Sequence, residues 1–280
     1  MNDGLSRFPM ARRGFVMTSL ISGFTMATTR VDAQAIHTDT AGLTVTETQI
    51  PTGDGALPAY MARPDGAGPF PIILVIEEVF GVHEYIKDVC RRFAKQGFMA
   101  VAAEYYARVG DLSQAMSSAQ TSAIVSKAPD EQMMADMDAV ADWAAHNHGD
   151  GNRLGINGFC RGGRQVWLYA AYSNRLKAAV SWYGVLDGPT SPILPKTALE
   201  VIPEVKCPVL GLYGSEDAAN PMNLIEEAEK EAKEAKEPVQ FVVYPNAPHG
   251  FHADYRPSYR AADAQDGWNR ALAWFRHYGV

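Results

Sequence analysis

Short, continuous apolar runs recur along this 280-residue chain, separated by longer stretches in which apolar residues return every three or four positions. Runs of four to eight apolar residues bounded by turn signals read as buried strands, and the longer periodic stretches as amphipathic helices. Strands are predicted over 72–77, 98–103, from 154 into the turn that follows, 177–183, 208–214 and 239–244. Helices are predicted over about 85–96, 131–147, from 165 onward, 224–236, and at the C-terminus to about 277. Two earlier strands, near 43–50 and 57–63, flank the turn Thr52-Gly53-Asp54-Gly55, and Asp65-Gly66-Ala67-Gly68 leads into the alternating part. Such alternation implies an α/β fold, a mainly parallel sheet with helices on both faces.

Candidate chemistry begins at Gly158-Phe159-Cys160-Arg161-Gly162-Gly163, where an apolar run meets a predicted helix through a sharp turn. Glycines two before and two after Cys160 remove the Cβ atoms that would crowd such a turn. Unpaired N–H groups at the helix N-terminus favour a thiolate there, and the N–H of Arg161 could hold an oxyanion. By itself the motif also fits a buried structural cysteine.

An acid and a histidine follow in the chain order of an α/β-hydrolase triad. Asp217 lies just past the strand 208–214, and His249 sits in the turn-rich loop after 239–244. Active sites of parallel sheets collect at those strand ends. His249 would take the thiol proton and Asp217 would fix its tautomer. His252 is a second-choice base.

From about Pro58 to the C-terminus the sequence resembles the dienelactone hydrolases, also called carboxymethylenebutenolidases, of the α/β-hydrolase superfamily. The resemblance is carried by Glu78-Val79-Phe80-Gly81-Val82, Tyr106-Ala107-Arg108, the Gly-Phe-Cys-x-Gly-Gly elbow, Gly214-Ser215-Glu216-Asp217 and His249-Gly250-Phe251. It implies a Cys160–His249–Asp217 triad working through a cysteinyl acyl-enzyme. It also implies that Glu78 contacts the resting thiol and is displaced by substrate, that backbone N–H groups of Val79 and Arg161 form the oxyanion hole, and that Arg108 binds a substrate carboxylate. The family's second arginine, four residues after the histidine, is replaced by Ala253; Arg256 could reach the same carboxylate, or that clamp is missing. The implied substrate is a small ester or lactone, such as a dienelactone, with a broader carboxylesterase close behind. A thiol redox or binding protein on the same fold is the reading from another class. No cofactor is called for.

The N-terminal segment changes the picture. Arg12-Arg13, the moderately apolar run 20–27 and Ala33-Gln34-Ala35 resemble a twin-arginine export signal, too short and polar to span a membrane. Residues 1–35 are therefore expected to be a removable leader engaging the export machinery, and 36–280 a single periplasmic or secreted domain without a stable membrane anchor. Removing the leader takes four arginines and two aspartates, moving the formal charge from −7 to −9. An acidic body argues against nucleic acid as a partner. Of three cysteines, Cys90 and Cys207 fall on separate parts of the predicted sheet, so pairing is not expected. His146 and His148 have metal-like spacing but lack further ligands in the sequence, and the charged run 226–233 reads as a solvated helix face.

Overall fold

The computed structural model describes residues 36–110, 112 and 118–280; the expected leader lies outside them. One eight-stranded sheet organises the chain. Its strands are β1 (Leu43–Thr52), β2 (Gly55–Pro64), β3 (Phe70–Ile76), β4 (Met99–Ala103), β5 (Gly149–Phe159), β6 (Leu176–Trp182), β7 (Val209–Gly214) and β8 (Val239–Tyr244). Their spatial order is β1-β2-β4-β3-β5-β6-β7-β8. β1 and β2 form an antiparallel hairpin, β2 runs antiparallel to β4, and every later pairing is parallel. The predicted hairpin, alternation and mainly parallel sheet are all present.

The pleat explains why the core strands read as unbroken apolar runs. Ile72, Leu74 and Ile76 of β3 face one core layer, and Ile73 and Val75 face the other, so both faces are buried. The first layer is closed by α3 (Asp130–His146), α4 (Arg161–Tyr172) and α6 (Met222–Glu231), after the short α2 (Ser118–Val125). The second is closed by α1 (Glu84–Lys95) and α7 (Ala261–His277). A single turn, α5 (Ala198–Val201), carries a capping box between Thr197 and Glu200 that sequence reading passed over.

Parallel registry brings the strand ends level. Ile76 pairs with Gly158, Phe159 with Trp182, and Gly214 with Tyr244. The segments after β3, β5, β7 and β8 therefore emerge along one edge, where Glu78, Cys160, Asp217 and His249 lie. α4 is fixed in place by Arg164, which donates from Nη1 and Nη2 to the two carboxylate oxygens of Asp130 at 2.7 and 2.8 Å, both residues being buried.

Candidate active site

Cys160 is the N-cap of α4 and adopts φ 54°, a left-handed conformation that a non-glycine residue rarely accepts. The turn is held on both sides: the Cys160 N–H donates to the Trp182 carbonyl at 3.0 Å, and the Cys160 carbonyl accepts from the N–H groups of Arg164 and Val185. The flanking glycines are required by contact. A Cβ on Gly158 would lie 2.5 Å from the Gly162 carbonyl oxygen, and one on Gly162 2.4 Å from that of Glu77. The elbow helix thus packs against the end of β3 at backbone distance, and Cys160 is left partly exposed.

His249 Nδ1 lies 2.8 Å from Asp217 Oδ2. A carboxylate only accepts, so Nδ1 carries a proton and Nε2 is the nitrogen left to face a nucleophile. Asp217 also accepts from the Ala219 N–H at 2.8 Å and Asn220 Nδ2 at 2.9 Å. Burial would raise its carboxyl, but these bonds, led by that from His249, hold it below the usual carboxylate value. Burial likewise works against charge on His249; hydrogen bonds to Asp217 and Cys160, and the electrostatic pull of both, outweigh it, raising the imidazole to about 10. The Tyr183 ring packs edge-on against His249, with centroids 5.0 Å apart. Cys160, His249 and Asp217 are therefore brought together.

Glu78 is fully buried, but its partners differ from the expected thiol. Tyr255 donates its hydroxyl to Oε2 at 2.8 Å, and Arg256 Nη1 stands 3.5 Å from Oε1. A guanidinium is a stronger counter-charge for a buried carboxylate than a thiol is. Arg256 lies over the Phe80 ring; burial works against its charge, but the Glu78 carboxylate beside it holds it protonated. The N–H groups of Val79 and Arg161 donate to none of the described residues, leaving both available to an oxyanion.

Arg108 is not left open towards the cleft. Its Nη1 and Nη2 grip the Asp136 carboxylate at 2.6 and 3.1 Å, and Nη2 also meets Thr52 and Asp54 at 2.7 Å. The face expected to receive a substrate carboxylate is filled by a protein carboxylate. His252 is no competitor for the base role: it is buried, held neutral by burial, and paired through Nδ1 with the Tyr85 hydroxyl at 2.6 Å. Cys90 and Cys207 are buried free thiols. His146 and His148 each bond a backbone carbonyl, and among the described residues no group of three or more candidate ligands could hold a metal ion.

The model of the dienelactone hydrolase family matches residues 57–279, nearly all of the sheet and every residue of this site. The chain belongs to the dienelactone hydrolase family. It is a hydrolase on the α/β-hydrolase fold. A relative from Methylorubrum extorquens, bearing the name "Putative carboxymethylenebutenolidase", is 52% identical over 274 residues, covering 97% of this chain and 94% of the relative. One of the same name from Escherichia coli K12 is 45% identical over 264 residues, covering 94% and 97%. The crystal structure described as "Putative Dienelactone Hydrolase" from Klebsiella pneumoniae superposes with a TM-score of 0.82 at 47% identity, covering 84% of this chain and 99% of that one.

In this dienelactone hydrolase family member, sequence reading passed over three residues of the site. Tyr255 adjoins Arg256 and was detectable only as an aromatic in a functional loop. Asn220, three residues after Asp217, ties the acid loop to the Leu186 N–H. His83, buried between Phe80, Tyr85 and Tyr255, is driven down to about 4 by burial and by Arg256, and is neutral.

Proposed function

We propose that this hydrolase cleaves a small ester or lactone, dienelactone-like in its ring and carboxylate, through a cysteinyl acyl-enzyme. The observation carrying the reading is His249, bonded through Nδ1 to Asp217 at 2.8 Å and set against Cys160 on the strained elbow, an arrangement that favours the protonated imidazole. A cationic imidazole stabilises negative sulfur opposite it. The sulfur attacks the carbonyl carbon; the carbonyl oxygen becomes an oxyanion held by the N–H groups of Val79 and Arg161. Collapse breaks the C–O bond, and His249 gives its proton to the departing oxygen, which in a lactone stays tethered as an enol or alcohol. Neutral His249 then takes a proton from water, whose oxygen attacks the thioester and releases carboxylic acid and thiolate.

Arg256 lines the cleft beside Glu78. The activating role of Glu78 then depends on substrate drawing Arg256 away from it. Residues 1–35 are proposed as a twin-arginine leader that delivers the folded enzyme to the periplasm or beyond. Replacing the nucleophile by Cys160→Ala is expected to reduce turnover of dienelactone and of simple aryl esters to background. Undiminished turnover would contradict the mechanism.

A further inference from the structure

We propose that the Arg161 side chain and the Tyr106 hydroxyl form the subsite that takes the carboxylate of the substrate, an assignment resting on the ester and lactone hydrolase reading above. Arg161 follows the nucleophile directly and opens α4. Its Nε and Nη2 and the Tyr106 hydroxyl are shut off from solvent and form no hydrogen bond of normal geometry with the described residues, their mutual approach being the one polar contact either has there. The two groups lie together: burial pushes the Tyr106 hydroxyl up, while the charge of Arg161 and a contact from its side chain draw it down.

Nε and Nη2 form one edge of the guanidinium, the edge that meets a carboxylate through two parallel hydrogen bonds. Desolvated donors without acceptors are costly and uncommon in folded proteins, and a ligand oxygen is one thing that satisfies them. The other arginines nearby are already matched: Arg108 by Asp136 and Asp54, Arg164 by Asp130, Arg256 by Glu78. Arg161 as a whole is only partly buried while its Nε–Nη2 edge is closed off, so a carboxylate reaches that edge as the side chain turns outward from Tyr106.

Topology gives the subsite its orientation. Tyr106 follows β4, which lies on one side of β5, while Asp217 and His249 follow β7 and β8 on the other. A carboxylate held by Arg161 and Tyr106 places the scissile carbonyl over Cys160 and turns the leaving oxygen towards His249. Arg161 thereby combines a backbone role at the oxyanion with a side-chain role in choosing the substrate.

The test compares kcat/KM for a dienelactone with that for its neutral primary carboxamide, which keeps the same scissile bond. Arg161→Met is expected to lower the carboxylate-to-carboxamide ratio by about 10- to 100-fold, the range for a charge-assisted hydrogen-bonded pair, and Tyr106→Phe to lower it in the same direction by less. A structural effect would lower both rates together and leave the ratio unchanged, and that result overturns the proposal. Binding provides a second readout, independent of turnover. Maleate titrated calorimetrically into Cys160→Ala should bind at least about 10-fold more tightly than into the Cys160→Ala/Arg161→Met double variant; equal affinities overturn the subsite. If the wild type hydrolyses neither compound, the hydrolase reading fails, while the maleate titration still decides the subsite.

Discussion

The proton on His249 connects the chemistry of the site to its stability. Its folded value of about 10 lies above the ordinary 6.5, so the charged imidazole adds stability that is complete below about pH 6.5 and is lost as the pH rises through about 10. The difference in urea midpoint between wild type and His249→Gln should accordingly be largest near pH 6 and shrink by about pH 10; a difference that grows with pH would contradict the assignment. Asp217 works in the opposite direction, its lowered carboxyl adding stability that is lost on acidification below the ordinary 3.8. Asp217→Asn is expected to lower kcat/KM by about 10²- to 10⁴-fold and to move its alkaline limb to lower pH, measured as a pH–rate profile. Cys160, Asp217 and His249 were legible in the sequence because each follows an apolar strand within a few residues. The ion pairs of Arg108 were not legible, because Asp136 and Asp54 lie 28 and 54 positions away, a pairing that no local pattern records. The burial of the Arg161 side chain was not legible either, because it depends on Tyr106, more than fifty residues earlier in the chain.

Strands and helices that bury one recognisable face were legible, and those held by polar or backbone contacts were not. β3, β7 and β8 fall within two residues of the apolar runs that predicted them. The first half of β5, Gly149–Arg153, is polar and was missed, because it joins the sheet at its margin beside Phe70 and Pro71. The helix predicted over 224–236 ends as a helix at Glu231 and finishes in a tighter turn over Ala232–Glu234. α4 depends on contacts outside its own sequence. Removing the carboxylate in Asp130→Ala leaves the Arg164 guanidinium buried without its bidentate partner, and a loss of about 3–5 kcal/mol in denaturant unfolding is expected. A loss well under about 1 kcal/mol, the scale of a solvated ion pair, would mean that water takes the place of Asp130.

Level strand ends explain why residues spread from Glu78 to Arg256 converge on one edge of the sheet. The α/β architecture was evident from alternation alone, whereas the convergence needed the order β4-β3-β5-β6-β7-β8. The acidic body, at −9 once residues 1–35 are removed, makes a local cation at Arg161 the natural destination for an anionic substrate. The export proposal has its own check: Edman sequencing of the protein recovered from the envelope fraction should begin near Ile36, and a start at Met1 or Met10 would contradict it.

Nucleophilic catalysis at this site requires a covalent bond at Cys160. Intact-mass and peptide-mapping spectra of the enzyme mixed with an activated ester should show one acyl group added at Cys160, disappearing with time as the thioester hydrolyses and persisting longer in a His249→Gln background. An enzyme that turns the ester over without ever carrying an acyl group on Cys160, or that yields only sulfenic or mixed-disulfide adducts there, would contradict the account.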